Sequence, residues 1–289
     1  IHFGAVDYET EVWINGESVG THRGGYTPFT FDITEYIEKG TNQVTVCAED
    51  DVRSGLQPAG KQSPKYNSFG CFYTRTTGIW QTVWLESVPE NYIDNFKVIP
   101  DPDNECVEIE VSMTGDIFDY NLEVEAFLNG ESAGSEKIKV NNHTMYFSLD
   151  LTEIELWNID NPVLYDLTLN LVDKKGKNVD TVESYFGLRT VSLTDNEILL
   201  NGEPVFQRLV LDQGFYPDGI YTAPSDEALK KDIEISQELG FNGARLHEKI
   251  FEPRFLYWAD KKGYLVWGEH ANWNLDITTA RGLEQFLPE

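Results

Sequence analysis

Seven side chains stand where polar chemistry would gather: Asp212, Arg245, His247, Glu269, His270, Asn272 and Trp273. Each lies at or just past the end of a short apolar run that reads as a strand: Leu209-Val210-Leu211, Gly243-Ala244-Arg245-Leu246, and Tyr264-Leu265-Val266-Trp267. Strands laid side by side would bring such ends to one mouth. There Asp212 and Glu269 would accept hydrogen bonds from hydroxyls or orient an acid/base, and Arg245 would keep a carboxylate ionised. His270, Asn272 and Trp273 would wall one side, the indole stacking on a ligand ring. Each has a structural rival. Glu269 also reads as a carboxylate paired with a neighbouring strand's arginine, Arg245 as a core arginine, Asp212 as a loop cap and Trp273 as a rim residue. For Arg208, within the first strand, a core ion pair is the better reading.

The elements that must hold these residues change period along the chain. Pro204 to Leu211 is expected as a strand. A helix follows, with Ser225 as N-cap and Asp226 and Glu227 in the first turn, where the helix dipole favours acids. Leu229, Ile233 and Leu239 form its expected inward stripe, and Gly240 ends it. The strand Asn242–Leu246 comes next. A second helix has Pro253 near its first position and ends at Gly263, directly before the third strand. Helix-ending glycines that lead straight into strands indicate parallel βα units. Leu283 to Glu289 reads as a further helix.

The preceding residues are strand-rich. Glu9–Ile14 alternates, turns at Asn15-Gly16 and returns through Ser18-Val19-Gly20, a strong hairpin signal because both central residues of the turn need positive φ. Strands at Gln43–Ala48 and Ile79–Glu86 follow. After a boundary near Val88-Pro89-Glu90, strands at Asn95–Ile99, Cys106–Met113, Leu122–Leu128, Met145–Leu149 and Leu164–Leu171 suggest an immunoglobulin-type sandwich. Asn129-Gly130 and Asn201-Gly202 repeat the first turn, a shared turn chemistry rather than a functional repeat.

The chain has 289 residues, 40% of them hydrophobic, and carries 22 basic against 49 acidic side chains, a net charge of −27. Such a surface repels phosphate backbones and anionic lipid, which excludes nucleic acid and membrane surfaces as partners. No apolar run reaches the roughly 20 residues that span a bilayer. Cys47, Cys71 and Cys106 match no metal or redox spacing and are expected as reduced, mostly buried thiols. The first residues show neither start methionine nor signal peptide, and both ends read as mid-sequence. A soluble protein of the cytoplasm or periplasm fits this composition.

Three passages resemble glycoside hydrolase family 2, the β-galactosidase and β-glucuronidase family. Val12-Trp13-Ile14-Asn15-Gly16, continuing through Gly20-Thr21-His22-Arg23-Gly24-Gly25-Tyr26-Thr27-Pro28-Phe29, is similar to its sugar-binding-type sandwich. Leu156-Trp157-Asn158, Asn161-Pro162 and Leu164-Tyr165-Asp166-Leu167 resemble the end of its immunoglobulin-like domain. Phe186-Gly187-Leu188-Arg189-Thr190 and Leu200-Asn201-Gly202-Glu203-Pro204-Val205-Phe206 resemble the approach to its catalytic barrel. The resemblance implies a jelly-roll-like sandwich over residues 1–90, an immunoglobulin-like sandwich over 91–190, and the first strands of an incomplete (β/α)8 TIM barrel over 191–289.

It also implies a retaining β-glycosidase with a carbohydrate substrate, working by double displacement between two glutamates. Those glutamates belong to later barrel strands, so none is expected in this chain, and the isolated chain is expected to be inactive. The seven residues above would then form part of the sugar pocket. No cofactor is expected. The Glu-x-His pair that helps hold magnesium in some galactosidases is missing from His270-Ala271-Asn272-Trp273-Asn274, so no metal is expected there. Asp212-Gln213-Gly214-Phe215-Tyr216-Pro217 replaces the histidine-rich loop of typical β-galactosidases, which points away from galactose. Gln81 follows Gly78-Ile79-Trp80 where the family often has arginine. The loop Gln57–Tyr66 is long enough to border the barrel mouth, while Trp13, Tyr26, Phe29 and Trp80 read as core aromatics. Exposed strand edges of a partial barrel would favour self-association into a homo-oligomer. The rival readings are a non-catalytic carbohydrate-binding or scaffolding protein, and a surface adhesin, which the βα units argue against.

Overall fold

The structure, a computed structural model, describes residues 1–287. Two residues of the expected last helix, Pro288 and Glu289, lie outside the described residues; the helix itself runs Ala280–Phe286. Contacts divide the chain into two units. One comprises residues 1–86, 208–259 and 266 onward, and the other residues 87–207 with 260–265.

In the first unit, β1 (Glu9–Ile14) lies between β2 (Glu17–Arg23) and β3 (Val44–Glu49), antiparallel to both. Alternation buries Thr10, Val12 and Ile14 and turns their neighbours outward. Asn15 and Gly16 have φ of 52° and 88°, Asn129 and Gly130 54° and 86°, Asn201 and Gly202 53° and 80°. All three Asn-Gly turns thus adopt the expected geometry.

The expected strand Ile79–Glu86 is split into Gly78–Ile79 and Val83–Trp84. Trp80, 2% exposed, leaves the ladder, and its indole donates to the Gly25 carbonyl. Tyr26 and Trp80 are buried as expected. Cys47 and Cys71, expected to be buried, are exposed free thiols; only Cys106 is buried. Cys47 sits on the outward face of β3, and Cys71 in a tight turn between Phe69 and Phe72.

The second unit contains a seven-stranded antiparallel sandwich. One sheet pairs β5 (Cys106–Thr114) with β4 (Tyr92–Asp101) and β8 (Thr144–Asp150). The other runs β7 (Glu131–Lys139), β6 (Asn121–Leu128), β9 (Tyr165–Val172), β10 (Asn178–Phe186). The return strands β7 and β10 have few inward apolar residues, which is why periodicity alone does not find them. Leu122, Leu169 and Leu171 are fully buried between the sheets, each contributing about 1.5–3 kcal/mol of burial. Tyr165 stacks on Phe186, and its hydroxyl donates to Glu153 O and accepts from Glu155 N–H. Trp157 closes one end of this unit, donating to Asp260 O while its carbonyl accepts from the Asn201 amide.

The α/β elements are β11 (Leu209–Asp212), α1 (Asp226–Glu238), β12 (Gly243–Leu246), α2 (Pro253–Lys262) and β13 (Leu265–Gly268), with the strands in the order β11-β12-β13. β11 and β12 run parallel. Ser225 caps α1 by accepting from Ala228 N–H, and Gly240 and Gly263 take positive φ.

Three expectations need correction. β11 begins five residues later than expected, because Glu203–Pro204 instead pairs with Ile198–Leu200, leaving Phe206 79% exposed. Among the described residues Arg208 makes no core ion pair; it is exposed and donates to the carbonyl of Gly240, an acceptor at the end of α1. Leu239 is the C-cap of α1 and 73% exposed. At 100° per residue it lies about 80° off the Leu229–Ile233 stripe, which continues instead to Ser236.

Replacing Tyr165 by Phe strands a backbone N–H and a carbonyl and should cost about 1–3 kcal/mol. Leu169→Ala should cost about 2–5 kcal/mol. The urea midpoint of the transition that melts this sandwich is the measurement.

Candidate functional site

Backbone pairing sets the faces of the sheet. Leu211 lies opposite Arg245, and Asp212 opposite Leu246. Leu246 and Ala244 are buried, whereas Arg245 and Leu211 are exposed on the other face. Arg245 therefore projects away from the helices, and so do His247 and Glu269, which meet it. The His247 N–H donates to Asp212 O at 2.7 Å, extending the parallel pairing to the strand end.

Arg245 Nε and His247 Nδ1 both contact the Glu269 carboxylate, the latter at 2.6 Å from Oε2. So short a separation between an imidazole nitrogen and a carboxylate oxygen requires a proton between them, so Nδ1 donates. The approach of Arg245 Nη2 to the same Nδ1, at 3.3 Å, is then a contact and not a hydrogen bond. Nε2 of His247 has no hydrogen-bond partner among the described residues and is the imidazole atom left for a ligand. Burial favours the protonated form of Glu269, but the hydrogen bonds from His247 and Arg245 and their charge outweigh it and hold the carboxyl below its ordinary range.

Trp273 stands edge-on to His247 at 5.9 Å between ring centroids. Asn272 and Trp273 donate their backbone N–H groups to Glu248 Oε2 at 3.1 and 3.0 Å. Glu248 is 5% exposed, and burial pushes its carboxyl up. His247, Glu248 and Glu269 offer metal-ligand atoms within 4.8 Å of one another. Within that set Glu269 is held by Arg245 and the Nδ1–H of His247, and Glu248 Oε2 by two amides, while His247 Nε2 stays open.

The other candidates are placed elsewhere. Asp212 accepts from Gly214 N–H at 2.8 Å and caps its own loop. Burial raises its carboxyl, as does nearby Asp232 on α1, which puts it on the helix side of the sheet. His270 packs edge-on against Tyr26 and Phe286, and its Nδ1–H donates to Ala271 O. Burial lowers its imidazole.

The loop Gln57–Tyr66 reaches the strand ends. Ala59 N–H donates to Trp273 O, and Asn274 donates to Val52 O. Gly60, at φ +54°, fits against the Glu248 carbonyl so closely that any Cβ would strike it. Lys61 Nζ lies 3.4 Å above the Trp273 ring. Two residues were not signalled by strand-end position. One is Glu248, which takes φ +57° directly after His247. The other is Lys249, 2% exposed, whose Nζ donates to Gly214 O and Tyr221 O and lies over the rings of Trp80, Tyr221 and Phe251. Burial pushes its ammonium down to about 8. Their one sequence signal was two charged residues between a strand end and the apolar Ile250-Phe251.

Comparison with known proteins places these features. Residues 1–89 match the model of the glycosyl hydrolases family 2 sugar binding domain, and residues 91–189 that of glycosyl hydrolases family 2. A putative β-glucuronidase of Formosa agariphila is 29% identical over 276 residues, spanning 93% of this chain and 32% of that protein. A β-galactosidase of Thermoanaerobacter pseudethanolicus is 30% identical over 284 residues, 94% of this chain and 37% of that protein. The chain thus spans about a third of the length of these curated relatives. The fold is shared with the β-glucuronidase of Ruminococcus gnavus solved with D-glucuronic acid, at a TM-score of 0.81 and 22% identity over 98% of this chain and 49% of that one. It is shared too with a family 2 member of Bacteroides cellulosilyticus, at 0.75 and 22% over 93% and 37%. With both family models matching in tandem and these relatives aligned along nearly its whole length, the chain belongs to glycosyl hydrolases family 2.

Proposed function

We propose that residues 1–289 are the front portion of a retaining β-glycosidase, and that the α/β part opens a (β/α)8 barrel. Arg245, His247 and Glu269, brought together at the ends of β12 and β13, are the observation that carries this reading. Active sites of such barrels lie at the carboxyl ends of the strands. The parallel pairing of β11 with β12, each followed by a helix, supports the barrel.

In this reading hydrolysis proceeds by double displacement between two carboxyl groups about 5–5.5 Å apart, one protonating the departing oxygen and the other attacking the anomeric carbon. Both glutamates are assigned to strands that this chain does not contain. Glu269 is left a supporting part. Ionised and held by two donors, it orients neighbouring groups or accepts from a sugar hydroxyl, while His247 Nε2 offers a further polar contact. Trp273 walls the same side. Relatives named for β-glucuronides and for β-galactosides leave a β-linked sugar as the shared substrate class.

Incubated with chromogenic β-glucuronide or β-galactoside, the purified 1–289 chain should release no more chromophore than buffer. Turnover above that background would overturn the placement of both glutamates outside it. The carboxyl of Glu269 should titrate below the ordinary 4.5. Its contribution to stability is then complete above that value and lost as pH falls through the lower folded midpoint. In a variant carrying both Arg245→Met and His247→Phe, only burial remains and the midpoint should rise above 4.5. Carbon-detected NMR titration of the side-chain carboxyl reads both.

A further inference from the structure

Two lysines are buried near the strand ends, and their surroundings differ. Lys249 has an acceptor on each of two carbonyls. Lys61, 4% exposed, has none among the described residues; its Nζ meets only the face of the Trp273 indole, 3.4 Å from the ring centre. An ammonium carries three donors, and a ring face engages one side of it. Burying the rest without an acceptor is unfavourable unless something polar completes the shell. Lys61 Nζ is not among the fully enclosed orphan atoms of the described residues, so the tip of the side chain is what still opens to the surface.

The backbone fixes that tip in place. The Lys61 carbonyl accepts from Tyr73 N–H, and the preceding Gly60 is wedged on Glu248. The indole below it touches His247 edge-on, and His247 donates to Glu269. Within this group Arg245 and Glu269 offset each other's charge, and Glu248 Oε2 is engaged by two amides. Among the described residues Lys61 has neither a carboxylate nor a carbonyl partner. With its ammonium over one face of Trp273, that face is closed to a stacked sugar, so a ligand at the mouth meets the charge.

We infer that Lys61 is an anion-recognising residue of the sugar pocket, selecting glycosides that carry a negative group such as a uronide carboxylate or a sulfate ester. The inference rests on the glycosidase reading above and deepens it, because it gives the loop Gln57–Tyr66 a part in substrate selection. Lys61 acts in binding and takes no part in bond cleavage.

The test is a titration of the ¹⁵N-labelled 1–289 chain, following the Trp273 indole N–H, identified by its loss in Trp273→Phe. Probes are methyl β-D-glucuronide, methyl β-D-glucoside, methyl β-D-galactoside, glucose 6-sulfate and sodium sulfate. The glucuronide or the 6-sulfate should bind at least about tenfold more tightly than the neutral glycosides, the scale of one charge-assisted hydrogen bond. The tighter of the two identifies the anion. Lys61→Met, which keeps the apolar stem, should remove that preference, while Lys61→Arg should retain it. Equal binding of charged and neutral glycosides overturns the inference and leaves the sugar pocket standing. So does a preference that survives Lys61→Met, or sodium sulfate binding as well as the charged sugars. If no glycoside moves the indole, the sugar pocket itself fails. The wild-type comparison decides even if a Lys61 variant does not fold.

Discussion

A buried ammonium ties the strand-end loops together. Lys249, which follows β12, reaches back to carbonyls of Gly214 and Tyr221 in the loop after β11, and lies beneath Trp80 of the N-terminal strands. A lysine stripped of water is stable only where its donors find acceptors, so those two carbonyls are held in place by the cation they solvate. The loop between them cannot relax without exposing or orphaning that charge. Gly214, at φ +64°, lets the backbone approach this closely, since a Cβ there would overlap both Lys249 and Phe251.

From this clamp the aromatic cluster follows. Tyr26, Trp80 and Tyr221 pack with Ala5 and Ala271 into one buried group. Its members come from the first 86 residues, from the loop after β11 and from the segment after β13. The hydroxyls of Tyr26 and Tyr221 meet at 3.1 Å, and Thr222 donates to Trp80 O. Breaking the Ile79–Glu86 ladder at Trp80 is the local cost of this arrangement. In return the segment holding Trp273 acquires a fixed floor, and its amides can present themselves to Glu248.

What could be read from the sequence was what local chemistry decides. Asn-Gly turns, the Ser225 cap and the terminal glycines all rest on φ preferences or first-turn hydrogen bonds, and each took its expected form. Arg245, His247 and Glu269 were legible as strand-end residues, and the structure brings them into one group. Asp212 shared that signal yet faces the helices, because a strand alternates sides and the parity of its last residue depends on register. Leu239 failed for a related reason, about 80° round the helix from the buried stripe. Lys249 was signalled only by its place after a strand end and Lys61 only by its loop, since what buries each is a segment distant in sequence, and no local pattern separates such a lysine from a solvated one.

The hydrogen bond from Asn274 to Val52 joins residues 222 positions apart. Closing so long a loop costs a flexible chain about 5 kcal/mol on the (3/2)RT ln n scale. Such a contact forms cheaply only after the intervening chain has become compact, and residues 87–207 lie inside that loop as a unit of their own. During synthesis the N-terminal strands emerge first but must wait for the segment beyond β13 before Ala59, Gly60 and Lys61 find their partners. These contacts are therefore expected late in the folding of this chain, their order set by chain connectivity more than by the strength of any one of them.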